Sequence, residues 1–557
     1  MEKILLHELL AAVGGKLLTE GKNQSSGNSS GSLAADNRAG TADSGVPAVT
    51  PDANYRTGAA DCSDSAMTPD ADDRAGTADS GVPAVTGDTE ILSVVTDSRK
   101  ITPGCVFFAL CGERFDGHAF TDGALEKGAA GCVISREPDK LIPGKFYVLV
   151  EDTLRALGQL AHFYRMKYDV KVIGITGSVG KTTCREMVSA VLSGRFRVHS
   201  TRGNFNNEIG LPMTIFDLSP EDEVMVLEMG MNHFGEIARL TRIAAPDIAV
   251  ITNIGTAHIG ILGSRENIFL AKKEIFEGMK EGSAAVLCGD DDFLPQIARD
   301  PALAGKFRIF YAGMSELCSY RGSDVRIDVS GIGEDSRHAS IVTECRITMP
   351  EIRPELNGQA AETADRGHRS LDFRIGAAGL HLVWPATIAA AVADLLGMTG
   401  EEILRGLESF SGQRMRCEKY GDILLFDDTY NASPDSMKSS LQLIACLPTG
   451  RKAAILGDML EQGSFAEALH REVGAAAAQA GIDTLITIGE LSADMADEAI
   501  KRGLRDVRAF KDRESAAEAV KEITEPGTAI LFKASHGMAL DRLAKLSREK
   551  AEQLAGK

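Results

Sequence analysis

The residues best placed to do chemistry form one run, Val172-Ile-Gly-Ile-Thr-Gly-Ser-Val-Gly-Lys-Thr-Thr183. An apolar stretch, Val170 to Ile175, gives way to a glycine-rich turn ending in Gly180-Lys181-Thr182, and a helical pattern follows from Thr183. Strand, turn and helix in that order build a cradle for phosphate. Its backbone N–H groups, from Thr176 through Gly177, Ser178, Val179 and Gly180, can approach phosphate oxygens, and the helix N-terminus adds positive partial charge. Lys181 would reach the β- and γ-phosphates of a nucleotide, and the Thr182 hydroxyl would hold Mg²⁺. Ile175 stands where the strict G-x-x-x-x-G-K-[ST] pattern wants its first glycine, so that pattern is not met. A chance glycine-rich turn is the bland alternative. The order of the elements favours nucleotide binding.

Further polar residues follow the later apolar runs. Gly203-Asn-Phe-Asn-Asn-Glu-Ile-Gly-Leu-Pro212 holds three Asn. Singly these are turn formers; together, one helix after the phosphate loop, Asn206 and Asn207 can contact nucleotide or Mg²⁺. Glu228 ends an apolar run, and a carboxylate at a strand end opposite a phosphate loop suits Mg²⁺, although a strand-end acid can simply face water. Thr252-Asn-Ile-Gly-Thr-Ala-His258 puts His258 in a loop after the next strand, where metal ligation and a structural role stand level. Lys272, within the helical Ala271-Lys-Lys-Glu-Ile-Phe276, reads by itself as a solvated charge. Farther on, Gln413-Arg414-Met415 opens a new unit, and Asp427-Asp-Thr-Tyr-Asn-Ala-Ser-Pro-Asp-Ser-Met437 ends its first strand. Two acids with Tyr430 and Asn431 at a strand's carboxyl end make a polar site, not a packing pattern. Lys533-Ala-Ser-His-Gly-Met538 resembles an anion-binding turn.

The elements that position these residues follow from the patterning. At 557 residues the chain has room for three or four domains of about 150 residues. Residues 1–18 read as an amphipathic helix and 91–150 as a small α/β domain, with strands at Cys105 to Leu110, Gly131 to Ser135 and Phe146 to Val150. From 151 to 411, strands alternate with helices in the manner of a largely parallel sheet, and 325–377 read as short antiparallel strands. His381 to Leu396 is an apolar helix that closes this domain. From 412 to 557 a third, Rossmann-like layer follows. It lacks G-x-G-x-x-G, which argues against a dinucleotide. Between about 20 and 88 the composition turns to Ala, Asp, Gly, Ser, Thr and Pro, and Arg38 to Thr50 recurs as Arg74 to Thr86. With so few aromatics to offset the entropy of ordering, this stretch is expected to be a disordered insertion. A second, smaller insertion is expected at about 350–369.

The bulk composition excludes some functions. A net charge of −19 argues against non-specific binding to nucleic acid or anionic membranes. No apolar run reaches membrane-spanning length. The ten cysteines include no C-x-x-C pair, so neither a zinc site nor a disulfide framework is indicated, and a reducing cytoplasm is expected.

Taken together, these motifs resemble the Mur ligases, the ATP-dependent amide-forming enzymes of peptidoglycan precursor synthesis. The resemblance covers nearly the whole chain apart from the two insertions. Thr-Gly-Ser-Val-Gly-Lys-Thr182 is similar to the family's short phosphate loop, Gly203 to Gly210 to its Asn motif, and Asn253 to His258 to its metal-binding histidine loop. Asp427 to Met437 is the most specific, close to the form typical of the branch that adds D-alanyl-D-alanine. Thr96-Asp97-Ser98-Arg99 and Gly112-Glu-Arg114-Phe115-Asp-Gly-His118 look like that branch's UDP-sugar-binding domain. The resemblance implies a three-domain α/β ligase, expected to be monomeric, that joins D-alanyl-D-alanine to UDP-N-acetylmuramoyl-tripeptide through an acyl phosphate. It implies ATP and Mg²⁺, two ions in all, with Lys181 and Thr182 on the phosphates and Glu228 and His258 on the second ion. Lys272 matches a lysine that several Mur ligases carbamylate. Arg414, Asp428 and Asn431 would contact ATP, with Tyr430 beside them. Leu382 and Pro385 replace Asn residues common in the family, and His536 stands where an Arg is common. Rival readings are another ligase of this superfamily, adding a different amino acid or a glutamate to a folate, and a non-enzymatic nucleotide switch. Deleting residues 24–86 is expected to leave ATP-dependent turnover largely unchanged; a large loss in a steady-state assay of the shortened chain would give the duplicated segment a part in catalysis.

Overall fold

Each apolar run flagged in the sequence becomes a strand of one of three sheets. A computed structural model describes residues 1–20, 84–112, 115–328, 342–351, 368–377, 379–410, 415–447 and 450–556. The duplicated segment, Arg114, Arg414 and most of the second insertion lie outside the described residues.

The N-terminal sheet has five strands in the spatial order Lys16–Thr19, Phe146–Leu149, Gly131–Ile134, Cys105–Phe108, Ser93–Val95. The first pair is antiparallel and the rest are parallel. The amphipathic helix expected over 1–18 is shorter: Leu6–Val13, flanked by strands Ile4–Leu5 and Lys16–Thr19. Gly14 stops it by turning left-handed (φ 65°) and returning its N–H to Leu10 O, a common helix ending. Ile4–Leu5 then pairs with Glu90–Ile91. Glu2 N–H donates to the buried Tyr164 hydroxyl at 2.8 Å, tying this domain to the helix Thr153–Met166 that leads into the central sheet.

The central sheet has nine strands: Val198–Ser200, Val224–Glu228, Lys171–Thr176, Ile248–Ile251, Ala284–Cys288, Arg308–Gly313, Tyr320–Asp328, Val342–Pro350 and His368–Ile375. All neighbours pair in parallel until Val342–Pro350, and the last two pairings are antiparallel. The antiparallel strands expected at 325–377 thus extend the parallel sheet instead of forming a unit of their own. The helix Val383–Leu395 packs across this junction, and its fully buried Asp394 bonds the Tyr320 hydroxyl at 3.0 Å and pairs with Arg369. Pro385 sits in the first helical turn, where proline costs no hydrogen bond.

The C-terminal sheet runs Arg416–Tyr420, Ile423–Asp427, Thr528–Lys533, Arg451–Gly457, Thr484–Ile488, Asp506–Phe510, parallel except for its first pair. Two edge strands, Val198–Ser200 and Arg416–Tyr420, had no clear sequence signal. Both are short and carry polar residues, as sheet edges do. The two exposed thiols among the described cysteines fall at opposite ends of the chain, Cys111 in the N-terminal domain and Cys446 in the C-terminal one. Among the described residues, no helix is long and apolar enough to cross a membrane.

Candidate active site at the phosphate loop

Lys171–Thr176 lies between Val224–Glu228 on one side and Ile248–Ile251 on the other. The chain diverges from this strand in both directions, and an open α/β sheet binds its ligands in such a crevice, outside the carboxyl ends of the strands. The loop after Lys171–Thr176 needs both of its glycines. A side chain on Gly177 (φ 149°) would overlap the Thr252 hydroxyl, whereas Gly180 (φ 81°) has open space and is required by conformation alone. The helix starts at Lys181, earlier than the sequence pattern suggested, and runs to Leu192. Lys181 Nζ folds back to donate to Gly177 O at 2.8 Å.

The neighbouring strand end clamps this loop. Asn253 Oδ1 accepts from Val179 N–H at 2.9 Å, and Asn253 Nδ2 donates to Val179 O at 2.9 Å. Thr252 Oγ1 donates to the same carbonyl at 2.7 Å, and Ser178 N–H donates to Asn253 O at 3.0 Å. Sequence reasoning quoted Asn253 but assigned it nothing; an Asn two residues past a buried strand and beside a phosphate loop was the available signal.

On the other flank Glu228, 2 % exposed, is held from three directions. It accepts from Thr182 Oγ1 at 2.8 Å, Asn206 Nδ2 at 2.9 Å and Arg185 Nη1 at 3.4 Å. Arg185, itself buried, also donates to Gly203 O at 3.0 Å. It escaped the sequence reading because an arginine one turn into a helix reads as a surface cation. Asn206 and Asn207 part company: the Asn207 side-chain oxygen accepts from Ile209 N–H and Gly210 N–H at 3.2 and 2.8 Å, starting the helix Gly210–Phe216.

His258 takes a left-handed backbone conformation (φ 64°) and opens the short helix Ile259–Leu262. Its Nδ1 is buried without a partner. Burial, with the Lys272 and Lys181 ammonium groups nearby, pushes its pKa down to about 4, so the ring is neutral near neutral pH and offers a lone pair. The hydroxyl oxygens of Thr176, Ser178 and Thr256 are likewise buried and unpartnered. Native proteins leave few such atoms, and these four fall on two loops joined by the Ser178–Asn253 backbone bond. This donor set fits a phosphate ligand with a hard cation. Lys272 is 1 % exposed, not the solvated charge its sequence context suggested. Burial, and then Lys181, hold its amine well below the usual lysine range, and among the described residues no carboxylate pairs with it.

The C-terminal sheet brings its own polar group to its strand ends. Asp428 Oδ2 accepts from Lys533 Nζ at 2.6 Å and Ser440 Oγ at 2.7 Å, and Lys533 also donates to Asn431 O at 3.0 Å. The Asn431 side-chain oxygen accepts from Ala432 N–H at 2.8 Å. Tyr430 and His536 rings lie 6.1 Å apart. Leu382 and Pro385 are buried in packing rather than offered to a ligand, while the neighbouring His381 keeps a buried, unpartnered Nδ1 near the Asp428–Lys533 pair.

A further cluster sits on the N-terminal sheet. Arg99 folds onto Asp97 at 2.8 Å and holds that carboxyl down to about 2. Lys127 Nζ donates to Ser98 O at 3.2 Å, and Thr96 follows the strand Ser93–Val95. The loop that carries Phe115 is a two-stranded ribbon, Cys111–Gly112 against Phe115–Asp116, with Phe115 exposed. Cys111, Asp116 and His118 converge there closely enough to suggest a metal site. However, Ser135 N–H donates to His118 Nε2 at 2.9 Å, so the ring proton sits on Nδ1 and faces Asp116, which also pairs with Arg136. The positions an ion would need are taken.

Replacing Asn253 with Ala is expected to weaken ATP binding about tenfold, because Val179 loses two half-buried hydrogen bonds, while far-UV circular dichroism stays unchanged. Titration calorimetry checks this, and an unaltered affinity would refute the clamp's role.

Comparison with known proteins gives the family. Residues 90–165 match the model of the Mur ligase family catalytic domain, 175–333 the Mur ligase middle domain, and 413–536 the Mur ligase glutamate ligase domain. The UDP-N-acetylmuramoyl-tripeptide–D-alanyl-D-alanine ligase of Bacillus subtilis is 38 % identical over 82 % of this chain and 93 % of its own length. That of Escherichia coli is 32 % identical over 82 % and 94 %. Among solved structures, MurF from Acinetobacter baumannii superposes with a TM-score of 0.72 at 30 % identity, covering 83 % of this chain and 94 % of that one. MurF from Thermotoga maritima, in complex with ADP, gives 0.70 at 26 % identity, covering 83 % and 98 %. The chain belongs to the Mur ligase family, and within it to the MurF group.

Proposed function

We propose that this chain joins D-alanyl-D-alanine to UDP-N-acetylmuramoyl-tripeptide at the expense of ATP. One observation carries the reading: Glu228 is bonded to Thr182 of the phosphate loop, and the buried, unpartnered Nδ1 of His258 lies within the electrostatic reach of Lys181 of the same loop. A nucleotide switch has no use for the added acid and imidazole. The relatives named above, nearly all of whose length the chain spans, are ligases of this type.

The tripeptide carboxylate attacks the γ-phosphorus of ATP; an acyl phosphate forms and ADP leaves. The dipeptide amine then attacks the acyl carbon, loses a proton and expels phosphate. Three anions converge in the first step, so charge neutralisation and positioning do most of the work. Lys181, already folded over the loop, swings to the phosphates. Thr182, Glu228 and His258 would hold Mg²⁺, which when bound supplies further positive charge. Lys272, whose burial lowers its pKa well below the usual lysine range, would in its amine form add CO₂, release a proton and so present a carbamate anion to the metals. From the C-terminal lobe, Arg414, Asp428 and Asn431 would contact ATP, and the Thr96–Arg99 and Arg114–Phe115 cluster would take the UDP-sugar. We take 1–150, 151–411 and 412–557 as the three working lobes of a monomeric, cytoplasmic enzyme that excludes water from its acyl phosphate.

A substrate panel read by ATP hydrolysis is expected to show turnover only when both the UDP-linked tripeptide and D-alanyl-D-alanine are present, and none in Lys181→Ala with its fold intact. Equal turnover with a folate or a single amino acid would overturn the assignment. Lys272→Ala is expected to lose about a hundredfold in kcat, with partial recovery on adding acetate or propionate as a surrogate carboxylate. Absence of rescue would leave Lys272 a plain amine.

A further inference from the structure

The loop that carries His258 is gripped on both sides by the C-terminal lobe. Three residues before His258 lies Gly255, where any side chain would overlap the Asp435 carboxylate of the opposite lobe and stand 3.3 Å from Ser178 Cβ. Two residues after it lies Gly260. A Cβ there would stand 2.9 Å from Gly463 N, 3.1 Å from Gln462 C and 3.1 Å from Glu461 O. Reciprocally, a Cβ on Gly463 would stand 2.9 Å from Gly260 Cα. Backbone meets backbone, with no side chain able to yield.

The segment that makes the second contact is braced. His470 is fully buried; its Nε2 accepts from Met459 N–H at 3.0 Å, and its Nδ1 donates to Ala466 O at 2.7 Å, pinning both ends of the finger 459–466. Leu460 N–H donates to Ser535 Oγ at 2.9 Å. At the tip Glu461 is left-handed (φ 67°), as His258 is across the interface. Such conformations are strained and persist only where surroundings enforce them. Gln462, 5 % exposed, turns its Nε2 to Leu460 O and stays within the finger.

We infer that Gly260 and Gly463 are positioning residues for His258: the braced finger and Asp435 together hold the His258 loop in the turn that brings its imidazole to the phosphate loop. This rests on the ligase reading above and assigns the C-terminal lobe a second task there. Besides covering ATP, it completes the histidine side of the site when it closes.

A double-mutant cycle tests it, using full-length Gly260→Ala, Gly463→Ala and the double variant, with Ile261→Ala on the adjacent exposed position as control. Each single glycine variant is expected to lose about tenfold in kcat with the KM for UDP-linked tripeptide within about twofold, and the double variant to lose clearly less than the product of the singles, because one shared contact is removed while the left-handed strain of Ala at Gly463 (φ 56°) is counted once. Mn²⁺ affinity, read by electron paramagnetic resonance with a non-hydrolysable ATP analogue and the UDP-linked tripeptide, is expected to fall in parallel, and Ile261→Ala to match wild type. Losses that add, or Mn²⁺ affinity that stays at the wild-type value, would overturn the inference. A variant that fails to bind the UDP-linked tripeptide has misfolded, and the partner-lobe single then decides by the same kcat and Mn²⁺ readings. If wild type itself shows no ATP hydrolysis with both substrates, the ligase reading fails, not the contact.

Discussion

The constraint on which the structure depends is the need to keep a loop of exposed backbone donors open and rigid at once. A phosphate cradle must point N–H groups into a cleft, and donors without partners invite collapse. Here Asn253 prevents it by satisfying both backbone groups of Val179 from the next strand. Thr252 and the Asn253 carbonyl add two more bonds. The loop is therefore fixed by the end of Ile248–Ile251, and the Ser178 and Val179 N–H groups, engaged by Asn253, are not free for a phosphate as the sequence suggested. The strand to its left contributes Glu228, fixed in turn by Arg185 and Asn206. Parallel pairing delivers both flanks to the same end of the sheet, so short strands suffice to assemble groups far apart in sequence.

Much of this was legible in the residues. The phosphate loop, Glu228 and His258 each follow a buried strand, and period and composition place strands well when both faces are covered. The edge strands Val198–Ser200 and Arg416–Tyr420 were not legible, because half-exposed polar strands carry no such signal. The burial of Lys272, and Arg185 altogether, were hidden for a different reason. Charged residues on a helix read as solvated unless the fold is known, and only tertiary packing buries these two. The shortened N-terminal helix was decided by Gly14 and by the return of Glu90–Ile91 to pair with Ile4–Leu5, a long-range pairing that local periodicity does not encode.

The departures from the family pattern also gain a physical meaning. Leu382 and Pro385 sit in the packed start of the helix Val383–Leu395, where Asn side chains would need partners. What remains polar there is His381, set against Asp428 and Lys533 of the other lobe. Among the described residues the lobes thus meet through a mixture of close backbone contact and a few buried polar groups rather than a broad surface of ion pairs. Such a junction is sensitive to shape more than to salt.

The two surface thiols have a practical consequence. Cys111 and Cys446 ride on different lobes, while the remaining described cysteines are buried or half-buried. In a chain shortened to remove Cys62 with its surrounding segment, maleimide dyes would attach at those two points first. The shortened chain would thus carry a ready donor–acceptor pair, and energy transfer between the labels would report the distance between the two lobes.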